Sequence, residues 1–158
     1  MDKVSIIVRT CGRPEVLRGA LESIRKQTYP DVETVVIEDG LEISRQMICT
    51  EYSDLQLRYI STGKRVGRAK AGNLGMKVAQ GKYLNFLDDD DVLYPEHIEI
   101  LLQTLQSAEE KAVYSVAEEA AAIYRKRKRT FYDVRKKVRF REPFNRMYLL
   151  HTNYLPIQ

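Results

Sequence analysis

The sequence predicts an α/β protein with a mostly parallel sheet flanked by helices on both faces. Two observations lead to this fold class. Short apolar runs suited to buried strands alternate with segments of helical periodicity, and the runs end in polar, often glycine-containing turns. Strands that alternate with helices at this interval indicate βαβ units and hence a parallel sheet. With 158 residues, the chain is long enough to bury a core of its own.

The first strand and helix follow the opening polar residues. Residues 4–8 form a short apolar run, and Pro14 stands where the first turn of a helix tolerates proline. Apolar residues then repeat at helical spacing as far as Ile24. A second buried strand is predicted at residues 33–37, and it stops at the polar turn 38–40.

The middle of the chain repeats the alternation. A helix is predicted near residues 44–52 and a strand near 57–60. A basic loop containing two glycines, residues 63–68, then leads into a helix at about 69–79. The next strand is predicted at residues 82–87.

The pattern is weaker toward the end of the chain. Gly81 fits the C-terminal end of the preceding helix, and a further helix is predicted at about 95–108. Residues 112–115 are typical of another strand, and 116–122 favour a helix. Residues 123–140 alternate polar and apolar side chains loosely, which predicts a β-hairpin-like extension.

Four consecutive aspartates, residues 88–91, follow the strand predicted at 82–87. Carboxylates this close raise one another's pKa, so the run is costly unless a cation or a helix N-terminus offsets its charge. Mg²⁺ and Mn²⁺ bind carboxylate oxygens and complete their shells with water and substrate phosphates. The alternative is a solvated turn in which Asp91 caps the helix that begins near Pro95. Capping explains one aspartate and leaves the other three without a role.

Three polar strand exits are expected to converge on one crevice. They are residues 9–13, 38–40 and 88–91. In open parallel sheets, ligands bind at the carboxyl ends of the strands, where the strand order reverses. The sequence therefore predicts one ligand shared by these three turns.

Charge is distributed unevenly along the chain. Residues 1–110 carry 14 Lys and Arg against 18 Asp and Glu, whereas 111–158 carry 12 against 4. The basic runs 125–129 and 135–137 are either the solvated face of a β-ribbon or a patch for nucleic acid, anionic lipid or anionic sugars.

The two cysteines show neither metal-ligand spacing nor a disulfide framework. No apolar stretch reaches the length of a membrane span, and no signal peptide opens the chain. We therefore expect a cytoplasmic protein, with attachment to the inner membrane face as an alternative.

Several motifs occur in a familiar order along residues 3–115. They are VSIIVRT at 4–10, RP at 13–14, VVIEDG at 35–40, AGNLG at 71–75 and FLDDDD at 86–91. Together they resemble the N-terminal half of a family 2 glycosyltransferase of the GT-A fold, a Rossmann-like α/β architecture. Residues 1–115 would then be the nucleotide-sugar-binding core. Residues 116–158 would be a basic extension and the start of an acceptor-binding half, so the chain would be either a fragment or a short form.

The resemblance implies a nucleotide-diphosphate sugar donor, UDP-linked by preference, together with Mn²⁺ or Mg²⁺. The residues that it places at the nucleotide are Thr10, Arg13, Asp39, Arg65, Arg68, Asp88 and Asp89. At the metal it places Asp90 and Asp88, within the family's DxD motif. Asp39 would accept a hydrogen bond from the base. Either Arg65 or Arg68 would face the diphosphate, and the sequence leaves that choice open.

The reaction implied is metal-dependent, inverting transfer of a sugar to a glycan or glycoconjugate acceptor, as in polysaccharide biosynthesis. An inverting enzyme also needs a general base, and no catalytic residue for that role is identifiable in this chain. His97 and His151 are interpreted as structural. The sequence departs from the family pattern at Glu38, where aspartate is commoner, and at Arg9, where proline is usual.

Other classes of function are less well supported by the sequence. A glycoside hydrolase needs two carboxyl groups on either side of a sugar, whereas residues 88–91 are contiguous. A non-catalytic module could use the basic ribbon 123–141 to bind nucleic acid or anionic membrane, but hairpin packing explains the aromatic residues there equally well. Nucleic acid is not an expected partner of the transferase. The apolar tail, residues 148–157, predicts self-association.

Overall fold

The structure, a computed structural model, describes residues 1–109, 111–125, 130–140 and 143–145. The chain divides into two compact units, Met1–Val113 and Tyr114–Ile157. The strands of the first unit are β1 (Val4–Thr10), β2 (Val32–Glu38), β3 (Leu57–Ser61) and β4 (Tyr83–Asp88). Its helices are α1 (Pro14–Arg25), α2 (Arg45–Glu51), α3 (Arg68–Val78) and α4 (His97–Gln106).

The first unit is built on a parallel sheet with the strand order β3-β2-β1-β4. The chain runs outward from β1 to β2 and β3 and then returns to place β4 on the other side of β1. The strand order therefore reverses between β1 and β4. At this reversal Thr10 lies opposite Glu38, and Arg9 lies opposite Asp88. The predicted parallel α/β architecture is confirmed.

The central strands β1 and β2 are buried on both faces, since their successive residues point to opposite sides and nearly all of them are buried. On one face, Ile6 and Val8 of β1 belong to a core cluster that includes Leu21 of α1. On the other face, Ile7 clusters with Ala71 of α3. Helices thus cover the sheet from both sides, as the sequence predicted.

The second unit contains the antiparallel pair β5 (Ala117–Arg125) and β6 (Thr130–Phe140), which confirms the predicted hairpin. Two expectations nearby are wrong. Residues 112–115 form no strand, and β5 occupies most of the segment predicted as the helix 116–122. The alanines of that segment favour a helix locally, but pairing with β6 overrides this weak preference.

Two expectations about single residues are also wrong. Gly81 does not end α3, whose last residue is Val78. Gly81 lies instead where a Cβ atom would come within 2.5 Å of the backbone nitrogen of Ser5, so only glycine fits. Asp91 does not cap α4, because that helix begins at His97 after Glu96.

Asp91 cannot cap α4 because it belongs to a turn directly after β4. The backbone N–H of Asp91 donates to the carbonyl of Asp88 at 3.1 Å, and five residues then separate Asp91 from α4. Within the ranges that the structure describes, no helix is both long enough and apolar enough to cross a membrane.

Candidate functional site

A cavity of about 270 Å³ opens at the carboxyl ends of β1, β2 and β4, where the strand order reverses. Its lining residues come from the three predicted exits and from the start of α3. They are Arg9, Thr10, Cys11, Arg13, Asp39, Arg68, Ala71, Asp88, Asp89 and Asp90. The convergence of the three polar turns is therefore confirmed. Arg65 is exposed and does not line the cavity.

Asp88 forms an ion pair with Arg9 across the β1–β4 interface. Nη2 of Arg9 donates a hydrogen bond to Oδ1 of Asp88, and the two side chains are only 13% and 24% exposed. The guanidinium also lies over the ring of Phe86, 5.8 Å from its centroid. Nε of Arg9 is buried and has no hydrogen-bond partner in the described part of the chain. The protein itself thus balances the charge of Asp88.

Asp89 joins the β1 exit to the β4 exit. Its side chain is 1% exposed and accepts a hydrogen bond from Oγ1 of Thr10 at 2.7 Å. Arg13 binds it with two nitrogens, Nε at 3.1 Å and Nη2. Burial lowers the pKa of Arg13, but hydrogen bonds and charge from Asp89 and Asp90 outweigh burial and raise it. Asp89 therefore stabilises the wall of the cavity by linking Thr10 to Arg13.

Asp90 is the accessible carboxylate among the aspartates that line the cavity. It is 56% exposed, and its contact with Nη1 of Arg13 is long, at 3.4 Å. Asp91 is partly buried, and this burial, followed by the charges of Asp90, Asp88 and Asp89, raises its pKa to about 6. Only Asp90 thus presents most of its carboxylate to a ligand.

Asp39 holds the loop between β3 and α3. Its carboxylate accepts hydrogen bonds from the backbone N–H groups of Val66 at 2.6 Å and Gly67 at 3.0 Å. Gly67 has a φ of +94°, which suits glycine, and α3 begins at the next residue. Anchoring this loop brings Arg68 to the cavity, so of the two candidate arginines the structure places Arg68 at the site.

Glu38 precedes the lining residue Asp39 in the sequence and is fully buried. Its carboxylate accepts hydrogen bonds from the N–H of Gly12 at 3.0 Å and the N–H of Ser44 at 2.9 Å. The hydroxyls of Ser44 and Tyr59 also donate to it. Burial, followed by the hydrogen bond to Glu38, raises the pKa of Tyr59. Glu38 thus ties the exit of β1 to α2 and β3.

Three lining residues, Arg9, Cys11 and Ala71, were not among the individual residues predicted for the site. For Arg9 a signal existed, because the two-residue period of β1 places it on the same face as Ile7, and parallel pairing sets it opposite Asp88. For Cys11 there was none. Its thiol donates to the backbone carbonyl of Asp39 at 3.0 Å.

The site offers oxygen ligands of the kind that hard divalent ions prefer. Among the described residues, no three His, Cys, Asp or Glu side chains are grouped as a ready metal centre. Asp88 and Asp90 nevertheless both line the cavity. Mg²⁺ is commonly held by one or two carboxylates together with substrate phosphates. These residues therefore fit an ion that shares its shell with a phosphorylated ligand.

Comparison with known proteins identifies the family. A model described as "Glycosyl transferase family 2" matches residues 5–156. The chain belongs to glycosyltransferase family 2. An uncharacterized glycosyltransferase of Rickettsia felis is 40% identical over 107 residues, which are 66% of this chain and 17% of that protein. Glycosyltransferase GlyG of Streptococcus pneumoniae is 30% identical over 71% of this chain and 38% of its own length. The chain thus spans well under half the length of these two relatives.

Solved structures show the same fold. S. aureus TarS in complex with UDP-GlcNAc matches 66% of this chain and 31% of its own, with a TM-score of 0.62 and 27% identity. The mannosyltransferase PcManGT of Pyrobaculum calidifontis, in complex with GDP-Man and Mn²⁺, matches 81% of this chain and 37% of its own. Its TM-score is 0.59, and at 20% identity the likeness is one of fold. The GT-A architecture expected for family 2 is confirmed.

Proposed function

We propose that this chain is the donor-binding part of a metal-dependent glycosyltransferase. The enzyme would transfer a sugar from a UDP-linked donor to a glycan or glycoconjugate acceptor. One observation carries the proposal: a single cavity at the strand-order reversal is lined by Asp39, two arginines of the expected set and the accessible Asp90. A nucleotide diphosphate needs this combination of a hydrogen-bond acceptor, cationic groups and a metal-binding carboxylate.

Each of the cavity residues would have a separate role in binding the donor. Asp39 would accept a hydrogen bond from the base, while Thr10 and Arg13 would form the nearby wall of the nucleotide pocket. Arg68 would bind the diphosphate, because a guanidinium can contact two phosphate oxygens at once. Asp89 would act indirectly, by fixing Arg13.

Asp90, with Asp88, would hold Mn²⁺ or Mg²⁺. When bound, such an ion offsets the negative charge that develops on the diphosphate leaving group. The preference for a UDP-linked donor is supported by the TarS structures in complex with UDP-GlcNAc and UDP. Membership in family 2 supports both the donor class and the metal.

Several parts of this proposal concern more than the described residues. The chain spans only a minority of its relatives' length, so acceptor, linkage, stereochemistry and general base belong to the proposal for the whole enzyme. The cytoplasmic location stays a prediction. Self-association also stays a prediction, because the tail residues 148–157 lie outside the described residues. No observation favours the alternative of a nucleic-acid or membrane module, since most of the run 125–129 lies outside them too.

Calorimetric titration of UDP tests the proposal directly. We expect UDP to bind with Mn²⁺ present and to bind at least about tenfold more weakly with EDTA or in Asp90→Ala. Asp54→Ala is the matched control, because Asp54 is an exposed aspartate paired with Arg25 and does not line the cavity. Failure to bind UDP, GDP and dTDP would contradict the proposal.

A second readout needs no acceptor. Cys11 lines the cavity, whereas Cys49 is exposed elsewhere. In a Cys49→Ser background, UDP with Mn²⁺ should slow alkylation of Cys11 by iodoacetamide, and UDP with EDTA should protect it less. Equal alkylation rates with and without the nucleotide would place the nucleotide elsewhere.

A further inference from the structure

We propose that Arg9 is a resident counter-ion of Asp88 that weakens divalent-metal binding to the nucleotide-free protein. The metal would then bind well only together with the diphosphate of the donor. This inference rests on the proposed function, since it concerns the metal of the donor site, but its test does not require sugar transfer.

The backbone of the sheet fixes the Arg9–Asp88 pair. Arg9 and Asp88 lie opposite each other in adjacent parallel strands, so both Cα positions are set by the ladder. The guanidinium lies over Phe86, and Cδ of Arg9 packs close to Gly72 of α3, where a Cβ atom would make an ordinary van der Waals contact at 3.5 Å. At 13% exposure, the Arg9 side chain is screened by water much less than a surface arginine is.

The geometry gives Arg9 a specific electrostatic effect. A metal ion bound to Asp88 would have to share that carboxylate with a guanidinium already bound to Oδ1. Arg13 imposes the same condition on Asp89, whose side chain is buried as well. Without nucleotide, a divalent ion would therefore find one accessible carboxylate, Asp90, and three arginines in the cavity lining.

A bound diphosphate reverses this balance. It brings negative charge toward the guanidiniums and supplies oxygen ligands for the ion, which carboxylates and phosphates share in such sites. Nucleotide and metal would then strengthen each other's binding by the same factor, as linkage requires. Removing the guanidinium of Arg9 should weaken this mutual dependence, because the free site becomes more negative.

The test is titration of Mn²⁺ without nucleotide, with free Mn²⁺ measured by its EPR signal. We expect Arg9→Met to bind Mn²⁺ at least about tenfold more tightly than the unaltered protein. Arg9→Lys, which keeps the charge, should remain near the unaltered protein. Arg18→Met is the matched control, because Arg18 forms a two-nitrogen pair with Glu51 at 2.7 and 2.9 Å away from the cavity lining.

Equal Mn²⁺ affinities for Arg9→Met and the unaltered protein, both shown to be folded by thermal melting, would overturn the inference. So would equally tight binding by Arg9→Lys and Arg9→Met, since the positive charge would then be irrelevant. A parallel titration of UDP in the presence of Mn²⁺ separates the two ideas. If UDP does not bind but Arg9→Met still gains Mn²⁺ affinity, the proposed donor function fails and the role of Arg9 as counter-ion stands.

Discussion

At the residue scale, the buried carboxylate of Glu38 has the clearest consequence for stability. It accepts two backbone N–H groups, from Gly12 and Ser44, and two hydroxyl groups. In Glu38→Gln the new amide NH₂ would face donors, leaving buried groups unsatisfied. We expect a loss of about 1–3 kcal/mol in the free energy of unfolding, measured with urea. The exposed Glu42→Gln should change little, and an unchanged Glu38→Gln would refute this account.

His97 predicts a pH dependence of stability. It is 8% exposed, its Nε2 lies 3.5 Å from Nδ2 of Asn85, and burial lowers its pKa from the ordinary value of 6.5. Protonation therefore favours the unfolded state, so stability present above pH 6.5 is lost as the pH falls through the folded-state pKa. Urea unfolding between pH 8 and 5 should show a steeper acid loss for the unaltered protein than for His97→Gln. Parallel pH profiles would contradict the prediction.

The sequence predicted the position of single site residues correctly where the topology of the sheet alone determines that position. Asp39 and Asp90 reach one cavity because parallel strands end at the same edge of the sheet. The partner of Asp88 required the register of β1 and β4, and the partners of Asp89 could not be predicted because they depend on side-chain rotamers. The sequence also predicted that Asp91 caps α4. That prediction failed because the length of the loop between β4 and α4 could not be read from the local sequence.

At the element scale, two glycines test how closely the strands and helices pack. In Gly81→Ala, the new Cβ would lie 2.5 Å from the backbone nitrogen of Ser5 and 2.9 Å from the carbonyl of Tyr83. Backbone atoms cannot move aside easily, so we expect a loss of about 1–3 kcal/mol. The control is Gly19→Ala within α1, where the nearest atom, Cγ1 of Val92, is 3.9 Å away. There alanine should be neutral or stabilise the helix by up to about 1 kcal/mol.

The anchoring of the β3–α3 loop by Asp39 should be visible in hydrogen exchange. In Asp39→Ala, the backbone amides of Val66 and Gly67 lose their acceptor, so they should exchange faster and their peptide should deuterate earlier. Nucleotide affinity should fall in the same variant, because Arg68 is no longer held at the cavity and the acceptor proposed for the base is also lost. Asp54→Ala is again the control. Unchanged protection of the loop would mean that other contacts hold it.

Element prediction was most accurate in the first unit and least accurate after it. The strands and helices of the sheet were recognised because buried runs and helical periodicity persist along them. Segment 116–122 was misread, since its alanines favour a helix and only long-range pairing with β6 makes it a strand. The local sequence of this segment gives no information about its pairing with β6.

At the scale of the whole molecule, the residues on which the two candidate functions depend lie in different units of the chain. Every residue of the cavity and of both sheet-covering core clusters lies within Met1–Val113. Residues 1–113 carry 15 Lys and Arg against 18 Asp and Glu, whereas 114–158 carry 11 against 4. The proposed donor site and the excess of basic residues therefore belong to different parts of the chain.

A protein shortened to residues 1–113 should consequently fold and keep the donor site. We expect one cooperative urea transition, because both faces of its sheet remain covered by its own helices. UDP with Mn²⁺ should bind it about as well as it binds the full chain. Any salt-dependent binding of RNA or anionic vesicles should disappear, since the shortened protein carries more acidic than basic residues. If the shortened protein instead bound RNA and not UDP, the cavity would not be a donor site, and the assignment of function to the sheet would be wrong.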